Sequence, residues 1–291
     1  MFIGVNIAIV LYAGIIAGKM EKNMDKLNEL TKQQKDDEKI FVAKIVDKIK
    51  SAQAKNRYEN TDFLDMVQQE KAKEILNKRR IENYQFWGGF NESERKELFI
   101  FPDYIEQSND EYMDIYKQQM SCIHIVLPKE NRGMYEHRNY LGALMKLGLK
   151  REKIGDIIVN NDGADIVISK EISKFILNNL RLLTRFQKAQ IEEIELEQIH
   201  YIEKEKEIIK INVPSTRLDC IVGELARCSR NEANDIIKQE RVLVNFKLEL
   251  RNSLTISEDS IITIRGKGRF KIDKILGETR SGRLNVQVSK W

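Results

Sequence analysis

The side chains best suited to chemistry are cations near the C-terminus, and the chemistry they suit is recognition of a polyanion. Arg217 and Arg227 fall off the apolar stripe of one short helical pattern, and Arg230, Asn234 and Lys238 face outward from a second. Asn245 and Lys247 follow a short strand pattern. Arg265, Lys267, Arg269 and Lys271 then alternate along an extended stretch, which would place them on one face. Gly266 and Gly268 let the backbone turn tightly between these cations, and Arg280 and Arg283 add charge at a final turn. From residue 212 to 291 there are 15 Lys and Arg against 10 Asp and Glu, a net of +5. The other 211 residues carry 34 against 35, so the chain's net charge of +4 originates entirely in its last quarter. Arg217 and Arg230 have a second reading, as solvated helix residues or partners of Asp219 and Glu232, and these two residues taken alone favour it. An exposed ion pair contributes only about 0–1 kcal/mol, a weak reason to cluster cations. A neutralised phosphate releases counterions, a stronger one. A paired-arginine helix face beside a basic strand suits duplex-like RNA, where backbone contacts and shape dominate.

Covalent and acid–base chemistry have fewer candidates. His137-Arg138 is followed by Asn139, which cannot supply a carboxylate nucleophile. These two residues better suit a helix start or a second contact with RNA or a protein partner. Gly266-x-Gly268 lacks the third glycine and the following helix of a nucleotide-binding loop. Three cysteines (Cys122, Cys220, Cys228) without a C-x-x-C, and three histidines, argue against a disulfide framework or a structural zinc site. No metal and no cofactor is therefore expected, and the cysteines read as small hydrophobes in a reducing compartment. His124, inside an apolar strand, reads as a satisfied core histidine. Phe86, Trp87 and Phe90 beside Gly88-Gly89 read as core, with base stacking as the alternative.

The elements that position these residues follow from periodicity. Ile40, Phe41, Ala43, Ile45, Val46 and Ile49 have helical spacing, and a second helical pattern after Thr61-Asp62 uses Phe63, Leu64, Val67, Ala72, Ile75 and Leu76. Strands are expected at 98–101, 122–127, 156–159, 164–168 and 191–198, with a hairpin turn at Asn160-Asn161-Asp162-Gly163. Helices are expected at 138–150 and 171–180. In the last quarter Leu218, Ile221, Val222 and Leu225 make one buried helical stripe. Ser229 with Glu232 has capping-box spacing and starts a second helix, forming a tight helix-turn-helix. Short strands at 242–245 and 260–264 and a final one at 284–288 complete the pattern.

The expected class is α+β in four parts: an apolar extension (1–23), a helical segment (24–83), a central α+β sheet domain (84–211) and a C-terminal module of two helices with short strands (212–291). Residues 2–18 are almost uniformly apolar, at the short limit for a membrane span. Lys19, Lys22 and Lys26 would keep the following part cytoplasmic if the stretch inserted. It reads either as a tether or as sequence upstream of a start at Met20 or Met24.

Arg217-Leu218-Asp219, Ser229-Arg230-Asn231-Glu232-Ala233, Val242-Leu243-Val244-Asn245 and Asp259-Ser260-Ile261, in that order, resemble the ribosomal-protein-S-four-type RNA-binding domain, the αL motif. The chain departs from it at Glu240-Arg241, where glycine often precedes the valine, and at Phe246, where glycine often follows the asparagine. Trp87-Gly88-Gly89-Phe90-Asn91-Glu92, Phe101-Pro102-Asp103, His137-Arg138-Asn139-Tyr140 and Arg265-Gly266-Lys267-Gly268-Arg269-Phe270 are similar to the bacterial YlmH proteins. That resemblance runs from about Phe41 to Trp291 and leaves out the apolar stretch. It implies a central domain (84–211) resembling an RNA-recognition α-β plait, in a cytoplasmic, monomeric, non-catalytic protein that binds rRNA and tRNA on the large ribosomal subunit, in quality control of stalled nascent chains. There a partner factor extends the chain with alanine. Some pseudouridine synthases join a similar RNA-binding module to a domain with an H-R-L-D sequence; Asn139 and Tyr140 break that pattern here. An RNA-modifying enzyme and a membrane-tethered interaction protein are the alternative classes.

Overall fold

A computed structural model describes residues 36–102, 104, 109–199, 201, 206–279 and 282–291. The apolar stretch, Met20, Met24, Asp103 and Arg280 lie outside them. The chain divides into two compact units, one formed by residues 1–61, 74–84 and 99–105, the other by 62–73, 85–98 and 106–291.

In the first unit, helix α1 covers residues 36–55 and buries Ile45, Ile49 and Ala52, one turn apart on a single side. Strand β1 (Glu59–Asn60) pairs antiparallel with Phe99 and Ile100, the end of β3 (Glu97–Ile100). Burial opposes ionisation of Glu59, but hydrogen bonds from Ser51, Lys48 and Arg57 overcome it and bring its pKa to about 2.

Phe63 and Leu64 are buried ahead of helix α2 (Met66–Lys78) rather than within it. Asp65 stops the helix pattern there: its carboxylate accepts from Gln68 N at 2.8 Å, and Gln68 Oε1 accepts from Asp65 N at 2.9 Å. Strand β2 is Tyr84–Trp87, and helix α3 is Asn109–Gln119.

A plait follows, of β4 (Met120–Val126), α4 (His137–Lys146), β5 (Ile154–Val159), β6 (Gly163–Ser169), α5 (Ser173–Asn179) and β7 (Gln190–Ile194). Its sheet has the order β5-β6-β4-β7, so β6 lies between the two strands joined by α4. This is the β-α-β-β-α-β arrangement expected of a plait. Ile123, Ile125, Ile166 and Ile191 point from the sheet into a core with Tyr140, Leu144, Ile176 and Phe186. Three expectations are corrected. The first helix ends at Lys146, with Gly148 at φ 80° after it. The second is α5 flanked by single helical turns at 170–172 and 180–182. The strand expected to run to Gln198 stops at Ile194, because Glu195 and Gln198 form a capping box that opens a helical turn.

The last segment forms a six-stranded antiparallel sheet, order β10-β9-β11-β12-β13-β8, with α6 (Leu218–Ala226) and α7 (Arg230–Lys238) packed on it. Its strands are β8 (Glu207–Val213), β9 (Val242–Val244), β10 (Lys247–Leu248), β11 (Ile261–Ile264), β12 (Gly268–Glu278) and β13 (Leu284–Lys290). β8 pairs with β13 along its whole length and crosses the boundary expected at 211/212. Leu218, Ile221, Val222 and Leu225 meet Ala233, Ile237, Ile262, Phe270 and Val288 in one core. The molecule is thus α+β. Among the described residues no helix is long and apolar enough to cross a membrane.

Candidate nucleic-acid interface

The turn between α6 and α7 is built from the C-cap of one helix and the N-cap of the next. Arg227 takes the left-handed conformation (φ 54°); Cys228 N donates to Gly223 O at 2.9 Å and Arg227 N to Glu224 O at 3.2 Å. This is a Schellman closure with arginine where glycine usually stands. Ser229 then caps α7 in a capping box with Glu232. The free N-terminal amides of α6 are met by the loop after β10: Leu218 N donates to Leu254 O and Asp219 N to Asn252 O.

Asp219 is the centre of the site. Its side chain is 2% exposed and accepts from Arg217 Nε and Nη2 (3.1 and 2.9 Å), from Arg230 Nε and Nη2 (3.0 and 2.9 Å) and from Cys220 N (3.0 Å). The Arg217 guanidinium, joined by Arg230, outweighs burial and holds the Asp219 carboxyl well below the usual carboxylate range. Arg217 and Arg230 are 38% and 57% exposed, so their outer N–H groups reach solvent from fixed positions. Two guanidiniums on one carboxylate leave a net positive charge. Pairing with Asp219, one of the two readings open in the sequence, is thus present, and it orients the arginines without neutralising both. Arg230 pairs with Asp219, while Glu232 belongs to the Ser229 cap.

The other expected residues divide. Lys238 is exposed in the last turn of α7 and Lys247 on β10. Asn234 Oδ1 accepts from Asn252 Nδ2 at 3.2 Å. Asn245 and Phe246 both have positive φ (48° and 63°) in the two-residue turn joining β9 to β10, and Asn245 Oδ1 accepts from Ile261 N at 2.8 Å. Positive φ at both central residues marks a type I′ hairpin turn, and the bond from Ile261 ties it to β11, so Asn245 shapes the loop. Glu240 has φ 58°. The loop conformation that glycine usually permits is therefore retained by Glu240 and Phe246.

The four alternating cations do not share one extended face. Arg265 and Lys267 are exposed in the turn between β11 and β12, with Gly266 at φ 80° and Gly268 at φ 125°. Lys267 lies near the helix turn: burial raises the Cys228 thiol pKa, and the Lys267 charge opposes that rise. Arg269 and Lys271 lie on β12 and are engaged. Arg269 Nη1 meets Glu94 Oε1 at 2.7 Å and its guanidinium stands 5.6 Å over the Phe246 ring; Lys271 pairs with Asp259 at 2.7 Å. Arg283 bonds Glu224 Oε1 at 2.9 Å and the Asn212 carbonyl.

His137 and Arg138 open α4 and are exposed; Arg138 pairs with Glu136 at 3.1 Å. Asn139 closes the capping box, its Oδ1 accepting from Glu136 N at 2.8 Å. His124 Nδ1 is 2.6 Å from Asp165 Oδ1, a satisfied histidine. Trp87 stacks on Tyr116 (centroids 5.4 Å) and Phe90 meets Tyr201 (5.0 Å), so these rings pack against protein. Asp219 as the organiser of the cations was absent from the expected site residues; its place in Arg-Leu-Asp between the two arginines is the signal that could have found it.

Residues 37–105 match the family model described as "YlmH, N-terminal", and residues 116–204 match that described as "Putative RNA-binding domain in YlmH". The chain is 28% identical over 266 residues to "Ribosome-associated protein quality control protein P2" of Bacillus subtilis (strain 168), an alignment covering 91% of this chain and 99% of that protein. Among solved structures it is similar to "Cell division protein ylmH from Streptococcus pneumoniae", at 21% identity and a TM-score of 0.45, covering 56% of this chain and 95% of that one.

Proposed function

The chain belongs to the YlmH family, and from that premise we propose that it is a non-catalytic RNA-binding protein of the translation machinery. In this reading it binds rRNA and tRNA on the large ribosomal subunit, acts in quality control of stalled nascent chains, and works in the cytoplasm as a monomer beside an alanine-tailing factor. The name of the Bacillus subtilis relative supports the ribosome and quality-control part.

The observation that carries the reading is the convergence of Arg217 and Arg230 on the buried Asp219 carboxylate. Arginine forks match phosphate geometry, and prior orientation lowers the entropy lost on binding. Arg227 in the helix turn and Lys267 near it extend the positive surface; Arg265, Lys238 and Lys247 are further phosphate ligands. Arg269 and Lys271 contribute once RNA competes with Glu94 and Asp259. Asn234 and Asn245 support the loops. In this reading the RNA module is 212–291, its sheet completed by β8, and the plait, β4 to β7, lies within the central domain at 84–211.

Crosslinking the protein to RNA in cells, followed by mapping of the linked nucleotides, tests this reading. Crosslinks on large-subunit rRNA and on tRNA are expected, dependent on Arg217 and Arg230. Crosslinks confined to other RNAs, or altered nucleosides in RNA incubated with the purified protein, would contradict it.

A further inference from the structure

The plait sheet has two faces, and the one an RNA-binding plait commonly offers to bases is covered. Opposite α4 and α5, the central strands carry Met120, Cys122, Val167 and Ser169, all buried. A Cβ on Gly155 would stand 2.9 Å from the Phe63 ring and 3.1 Å from Val167; one on Gly89 would stand 3.0 Å from Val167. The Glu97 carboxylate is 3.5 Å from the Ser169 hydroxyl. Stacking of bases across this part of the sheet is therefore blocked by the protein's own residues.

The helix side is different. Residues 172–191 contain Lys174, Arg181, Arg185 and Lys188 and no acidic residue, and all four cations are exposed. Buried Leu180 and Phe186 anchor this stretch to the plait core, turning the intervening cations outward. Arg185 is held in place: its guanidinium lies 5.2 Å over the Tyr135 ring, and Nη1 donates to Asn139 O at 3.3 Å. Tyr135 Oη in turn donates to Arg185 O at 3.4 Å. That contact joins the basic stretch to the start of α4, where His137 and Arg138 are exposed. Arg181 donates to Ile191 O at 2.8 Å and, with Gln187, Lys188, Gln190 and Glu192, lines an open depression.

We infer that this surface is a second RNA-backbone site, separate from the C-terminal module, in which Arg181, Arg185 and Lys188 contact phosphates beside Arg138. The inference rests on the RNA-binding reading above and adds a surface to it. Anchored guanidiniums, an aromatic support and an acid-free stretch suit a phosphate backbone, whose binding is driven by counterion release.

The test measures salt-dependent binding of the full chain to purified large ribosomal subunits. It compares wild type, Arg217→Ala/Arg230→Ala, Arg181→Ala/Arg185→Ala/Lys188→Ala and their combination. The triple variant should weaken binding and shallow the log–log salt slope by about 2–3, additively with the module variant. Lys188→Glu alone, at an exposed position, should weaken binding with the melting temperature unchanged, which separates contact from folding. Wild-type affinity and slope for the triple variant or for Lys188→Glu, beside a weakened module variant, would overturn this site and leave the RNA reading intact. That is also the result if the surface serves an acidic protein segment. Wild-type behaviour of all the variants would overturn both.

Discussion

Asp219 shows how one residue converts two ordinary surface arginines into a fixed pair. Its folded-state pKa is depressed, so its contribution to stability is complete above the unfolded value, about 3.9, and is lost as pH falls through the lower folded value. Asp219→Asn should therefore lower stability at neutral pH by about 1–3 kcal/mol, leaving two guanidiniums facing a neutral amide. It should also flatten the loss of stability below about pH 4, because the titrating group is gone. Urea unfolding across pH checks both; an unchanged acid limb would show that the carboxylate carries no such linkage. RNA affinity should fall in the same variant although both arginines remain. Residue types left Arg217 and Arg230 open between internal pairing and RNA, the αL resemblance favoured RNA, and their spacing allowed Asp219 as a partner. Arg269 was harder to place, because the carboxylate it meets is Glu94, 175 positions away.

At the scale of elements, helical stripes and caps were largely legible. The stripe of α6 and the Ser229–Glu232 cap of α7 depend on residues three or four apart, which periodicity can see. The β11–β12 turn was legible only in part: Gly266 and Gly268 signalled it, yet the alternation of cations reads as one face continuing through it. The strand expected to run to Gln198 failed for a similar reason: alternation persists into a helical turn that the Glu195 cap begins. Glu240 bears a cost that follows directly from its backbone. A side chain at φ 58° is strained where glycine would not be, while glycine loses more freedom on folding. Glu240→Gly should consequently stabilise the module by about 0.5–1 kcal/mol, read as a raised midpoint in urea. A lowered midpoint would mean that the Glu240 side chain contributes more than its backbone costs.

For the whole molecule, the partition of charge matters more than its sum. A net of +5 over the last 80 residues, against −1 elsewhere, gives the C-terminal module a field that the total of +4 conceals. Much of that charge is internally paired, as at Arg269, Lys271 and Arg283, so the number of phosphates engaged is smaller than the number of cations. The α+β class followed from the order of the patterns, and the plait from the resemblance to the YlmH proteins. The covering of the plait sheet did not, because Phe63, Gly89 and Glu97 reach it from distant parts of the chain. The most direct measurement is the affinity of the full chain for purified large ribosomal subunits as a function of salt. Wild type should show a steep linear fall of log affinity with log salt, and Arg217→Ala/Arg230→Ala should bind more weakly with a slope shallower by about 2. A folded double variant that binds with wild-type affinity and slope would contradict the assignment of RNA binding to this pair.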